Sequence, residues 1–210
     1  MSEPMTNEHN TAGSLKNNFL DTFYDTLFHP VITFRALDET ESNTNPQFLF
    51  YALASVITVS ALAPLIQLAN TGGDLGGLAL GIPVSTIIGV AVWGFMGLST
   101  GLWAYAFTSH ARIRTFLTLS GLATLPWILM GPVSVLKFSL GPLGAAIAIL
   151  GALLIWLWSV LLFGLAVMIT YQMTIERALI VLATPFTTQL ILLAWIFGFF
   201  GNVRQMAFHL

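Results

Sequence analysis

A bundle of transmembrane α-helices is the fold class this sequence predicts, and three observations predict it. Only 8% of its 210 residues are charged, against about 25% in a soluble domain. Hydrophobic residues make up 56% and mean hydropathy is +0.84. The few charges cluster, leaving residues 42–73, 75–111, 115–136, 138–175 and 178–203 without any. Each stretch is long enough to cross a hydrocarbon core of ~30 Å at a helical rise of ~1.5 Å per residue. The expected fold is therefore all-α: five spanning helices preceded by a short interfacial amphipathic segment.

Residues 1–18 read as a disordered acidic tail, rich in Asn, Thr, Ser and Glu and without an apolar period. The chain opens with Glu3 and Glu8 and no basic run, so no signal peptide is expected. Ser2 stands where myristoylation needs glycine, and there is no cysteine to acylate. The same lack of cysteine excludes disulfides, thiolate catalysis and thiol metal sites.

Residues 19–41 are the amphipathic segment. Leu20, Phe23, Tyr24 and Leu27 recur at helical spacing with Asp21 and Asp25 opposite, which predicts a helix lying along the cytoplasmic membrane surface. Pro30 ends it and starts a second helix carrying Val31, Phe34 and Leu37.

The transmembrane domain is expected over 47–200, with spans at about 47–69, 82–107, 115–136, 145–171 and 178–200. The glycine-rich run from Thr71 to Gly77 reads as a turn. His110, Arg112 and Arg114 mark the second connection, Lys137 to Pro142 the third and Thr174 to Arg177 the fourth. With five spans, Lys16, Arg35, Arg112, Arg114 and Arg177 fall on one side and Lys137 and Arg204 on the other. The positive-inside rule then places the N-terminus in the cytoplasm and the C-terminus outside.

In the second span Val90, Gly94, Gly97, Gly101, Ala104 and Thr108 share a face. Small residues let helix backbones approach in lipid, so Gly94, Gly97 and Gly101 are expected to pack against another helix or a second copy of the chain. Pro64, Pro126 and Pro185 sit inside spans and each frees a carbonyl four residues earlier, Ser60, Leu122 and Val181.

Few residues suggest chemistry. Gly97-Leu98-Ser99-Thr100-Gly101 has the spacing of a hydrolase nucleophile, which works on a strand-to-helix elbow beside a histidine. Here it lies within a span, and His110 is about 16 Å further along a helix. Ser99 therefore reads as a packing residue. The glycines from 72 to 81 lack the Gly-Lys-Ser/Thr of a phosphate loop. His9, His29, His110 and His209 are scattered, so no metal, cofactor, catalytic residue or nucleic-acid partner is assigned. Gln189, near the middle of the last span, is expected to hydrogen-bond a neighbouring helix.

The order of elements resembles the YIP (Ypt/Rab-interacting protein) domain family. His29-Pro30-Val31-Ile32-Thr33-Phe34-Arg35-Ala36-Leu37 is similar to its cytoplasmic segment with Pro and Thr-Phe-Arg. Ser120-Gly121-Leu122-Ala123-Thr124-Leu125-Pro126 is similar to its Gly-Tyr followed four residues later by Pro, with Leu122 in place of Tyr. The resemblance implies five passes and a non-enzymatic scaffold or adaptor that binds partner proteins and organises membranes. The eukaryotic Asp-Leu-Tyr-Gly-Pro motif is missing, so the expectation is a bacterial-type member in the inner membrane. Its expected partners are membrane lipids, an unidentified membrane or cytoplasmic protein, and a second copy of itself. Phe19, Leu20, Phe23, Leu27 and Phe34 are the expected partner surface. A permease component or small-solute channel is the alternative.

Overall fold

The computed structural model describes residues 19–41, 47–71, 75–108, 112–184 and 187, and these are helical apart from short turns. Two short helices, α1 (Phe19–Phe28) and α2 (Pro30–Glu41), precede α3 (Gln47–Thr71) and α4 (Leu75–Thr108). The chain continues through α5 (Ile113–Leu122), a 3-10 turn (Leu125–Leu129), α6 (Met130–Ser139) and α7 (Gly141–Tyr171). A further helix, α8, covers residues 175–184. Four segments are long and apolar enough to cross a membrane: Gln47–Leu68, Gly76–Thr108, Ile113–Lys137 and Gly141–Tyr171. Most of the fifth expected span, 178–200, lies outside the described residues.

Three boundaries differ from the sequence reading. Helix α4 begins at Leu75, so Gly76 and Gly77 are helical; the surrounding apolar run carries the helix through residues of low propensity. The third span is not one helix. It breaks where Thr124 Oγ1 bonds the Gly121 carbonyl at 2.7 Å, and Pro126 enters the first turn of the 3-10 segment. Proline has no N–H to continue an α-helical ladder. Helix α7 starts four residues earlier than expected because Gly141, at φ 57°, turns the chain directly from α6 into α7.

Proline also explains how α3 meets α4. Pro64 leaves the Ser60 carbonyl without its helical donor, and Ser85 of α4 donates its hydroxyl to that oxygen at 3.0 Å. One turn on, Gly89 lies directly on the Ser60 side chain, where a Cβ would collide with it. The hairpin of α6 and α7 is equally close: a Cβ on Gly144 would strike the Leu136 carbonyl, and one on Gly151 would press on Val133.

The core lies at one end of the bundle. Phe34 and Leu37 of α2, Phe48 of α3, Phe116, Leu119 and Leu122 of α5, and Leu162 and Val167 of α7 are essentially inaccessible. Phe116 packs edge-on to Phe163 and tilted against Tyr171. Many inward positions are small or polar: Thr22, Thr26, Thr33, Ser55, Thr100, Thr118 and Ser120 are all buried. Several return their hydroxyls to their own helix, as Thr26 does to the Thr22 carbonyl at 2.7 Å and Ser55 to that of Tyr51 at 2.8 Å. The outward positions are large and apolar, as lipid requires.

Candidate functional site

A salt bridge ties the α2 helix to the bundle. Arg112, just before α5, donates from one guanidinium nitrogen to Asp38 Oδ2 at 3.0 Å. The same nitrogen reaches the Thr170 carbonyl at 3.4 Å. That oxygen belongs to the last turn of α7, where carbonyls have no helical donor and the helix dipole is negative. One cation thus joins α2, the start of α5 and the end of α7. Burial raises the Asp38 pKa above its ordinary 3.8, the Arg112 guanidinium works against that shift, and Glu39 adds to it. Asp38 Oδ1 is buried without a partner.

Two cavities stand out, and the second of them includes Asp38. The first, about 320 Å³, lies within the bundle between Trp93, Trp127 and Trp156 and reaches Leu182 of α8. Among the described residues its walls are almost wholly apolar, with Ser60, Thr124 and Ser159 as exceptions and no ionisable side chain. Trp93 Nε1 is turned to Ser120 Oγ at 3.1 Å. The second cavity, about 370 Å³, opens between α2 and the end of α7 and is bordered by charged side chains.

The residues singled out from the sequence divide clearly. A Cβ on Gly97 would collide with Leu117, and one on Gly101 would lie 3.2 Å from Tyr171 Oη and 3.3 Å from Ile113. Nothing stands within 4 Å of a Cβ built on Gly94. Ser99 donates to the Met96 carbonyl of its own helix at 3.1 Å. Gln189 lies outside the described residues. No group of three or more His, Cys, Asp or Glu side chains gathers among the described residues.

In the N-terminal segment the face differs from the one expected. Phe34 is 0% exposed, Phe23 and Leu27 pack on the core, and Phe19 packs edge-on to Tyr51 at 5.4 Å between ring centroids. Of the five residues named as a partner surface, Leu20 alone is largely exposed. Thr22 and Thr26 point inward, while Tyr24, Phe28, Val31 and Ile32 join Leu20 outside. A helical period identifies an amphipathic stripe only when one side is polar, and here both sides carry apolar residues. The Arg112–Asp38 pair was not foreseen; its only sequence signal was a charge beside a span end. The tight glycines 89 and 121 were also missed: Gly89 does follow Gly81 and Ser85 at intervals of four, a small-xxx-small signal that could have found it, whereas Gly121 has Leu117 and Leu125 at those spacings and no such signal.

An all-helical chain with four described segments able to cross a membrane, packed through small residues, is an integral membrane protein. More closely, the Yip1 domain family model matches residues 24–196, and the chain belongs to that family. The family is one of non-enzymatic membrane proteins associated with protein interactions in membranes. No curated protein matched the chain, and no solved structure matched it either.

Proposed function

We infer that this protein is a membrane scaffold or adaptor of the inner membrane, and that its partner surface is the outward ridge of α1 and α2. The observation that carries this reading is the docking of the helix pair. Phe34, Leu37 and the Asp38–Arg112 pair hold it on the bundle, yet Leu20, Tyr24, Phe28 and Ile32 stand outward at 56–71% exposure. These four positions follow one another at intervals of four, forming a single stripe. A stripe of this kind, fixed in place before binding, suits a groove on a partner. The orientation remains the one expected from the Lys and Arg count, with a fifth span over 178–200 and the N-terminus cytoplasmic. The contacts of Arg112 bring α2, the start of α5 and the end of α7 to one end of the bundle, as successive spans that alternate in direction require. A channel finds less support, because the cavity inside the bundle offers an ion almost no ligands.

Deleting the segment is a poor test, since it would also strip Phe34 and Leu37 from the core. A photo-crosslinking side chain placed at Tyr24 or Phe28 in living cells is a better one. The expected product is a discrete protein adduct at both positions, lost when Leu20 and Ile32 are changed to Ser. Adducts with lipid alone at both positions would overturn the adaptor surface, and an adduct with a second copy would make the partner this chain itself.

A further inference from the structure

We propose that the cavity between α2 and the end of α7 binds the headgroup of an amino-bearing zwitterionic phospholipid of the phosphatidylethanolamine class. The inference rests on the membrane location and is independent of the adaptor reading.

The cavity carries both signs of charge. Arg35 and Glu39 are exposed on its α2 wall, one helical turn apart, and neither has an ion-pair partner among the described residues. Asp38 lines the same wall, with Oδ2 held by Arg112 and Oδ1 buried. Counting Arg112, the four ionised groups sum to zero. A site for a net anion would not place two carboxylates beside its arginine, and a site for a simple cation would not include Arg35. A phosphate with an ammonium a few bonds away matches both: Arg35 donates to the phosphate, while Glu39 accepts from the ammonium.

The rim and the far wall fit the same ligand. Gln172 closes α7 in the left-handed conformation, at φ 50° and ψ 41°, and is the only described residue other than glycine with positive φ. Such a backbone is uncommon for glutamine and marks a position worth a functional reading. It leaves an exposed amide at the cavity's edge, with donors for phosphate oxygens. Opposite the charges stand Leu165, Met168 and Ile169, half-buried on the last turns of a helix able to span the membrane. That is the depth at which the glycerol and first methylenes of a lipid lie when its headgroup is level with the end of a span. The volume of about 370 Å³ is at the lower end of small-molecule sites.

The test uses the full chain, purified in detergent and offered lipids of identical acyl chains. Native mass spectrometry should show phosphatidylethanolamine retained about tenfold more than phosphatidylcholine, the factor for one charge-assisted hydrogen bond that a quaternary ammonium cannot donate. It should likewise exceed phosphatidylglycerol. Glu39→Gln should bring the ethanolamine lipid down to the choline level, and Arg35→Gln should weaken both. The lipid-free unfolding temperature of each variant should match wild type, because both side chains are exposed. Soluble glycerophosphoethanolamine should not compete at lipid concentrations, since the apolar wall contributes to binding. A preference for phosphatidylglycerol, equal retention of all three lipids, or an ethanolamine preference that survives both substitutions would overturn the proposal. Full competition by the soluble headgroup would overturn the lipid as its source.

Discussion

The end of the bundle where α2, α5 and α7 meet and the first half of α4 draw on similarly apolar residues, yet they are used in opposite ways. At the first, Phe34, Leu37, Phe116, Leu119 and Leu162 are withdrawn from the surface. Along the second, Leu80, Val84, Ile87 and Ile88 stand 52–73% exposed, and no residue of the most apolar window of that span is buried. Hydropathy does not separate the two regions. In water the hydrophobic effect sorts residues by polarity, but lipid solvates leucine as well as a protein core does, so packing depends on close fit and internal hydrogen bonds. The buried threonines and serines, and the glycines at 89, 97 and 121, mark the inside of this protein more faithfully than its leucines.

The widest separation between the regions is expected for large-to-small changes. Phe34→Ala should cost roughly 3–5 kcal/mol, as for a fully buried aromatic ring, and lower the unfolding temperature in detergent sharply. Leu80→Ala should fall within about 0.5 kcal/mol of wild type, as for a surface substitution. If Phe34→Ala instead leaves stability intact and abolishes a protein crosslink, α2 is not docked as described, and Phe34 returns to the partner surface.

The next contrast lies within a single helix face. Gly97→Leu drives a side chain into Leu117 of α5 and should destabilise by about 1–3 kcal/mol, the usual range for overpacking. Gly94→Leu, three residues earlier on the same face and open to 4 Å, should be neutral to within about 0.5 kcal/mol. A comparable loss at position 94 would mean that a second copy of the chain packs there, and would extend the tight region along α4.

Much of this was legible before the structure. Charge-free runs of more than 20 residues fix where a chain must cross, and four of the expected spans coincide with segments able to do so. The facing of those spans was not legible. Periodicity needs a polar side for contrast, and α4 has almost none. The role of Gly97 was readable from its spacing to Gly101, whereas Gly94 shows that a shared face is not a shared contact. The site at α2 was hidden for a different reason. Asp38 and Arg112 are 74 residues apart, and nothing local to either announces the other; only the fold, by returning α7 and α5 to the same end, brings them together.

The smallest expected effect tests what holds that end closed. Asp38 faces two opposing influences: burial, which favours the neutral acid, and Arg112, which favours the carboxylate, with Glu39 on the side of burial. The other nearby cation is Arg35, on α2 itself. Burial is the larger, and the folded pKa lies above 3.8. Between the unfolded value and that raised one, the folded state binds more protons than the unfolded state, so stability must fall as pH rises through the window. It should be greatest below 3.8 and level off above the folded pKa. Asp38→Asn keeps an acceptor for Arg112 and removes the titration. The difference in unfolding midpoint between wild type and variant, measured in detergent upward from pH 3.8, therefore isolates this group from the other carboxylates. A wild-type midpoint that declines relative to the variant is expected. One that climbs would show that the attraction of Arg112 outweighs burial, and that the densely packed end is held by charge as well as by fit.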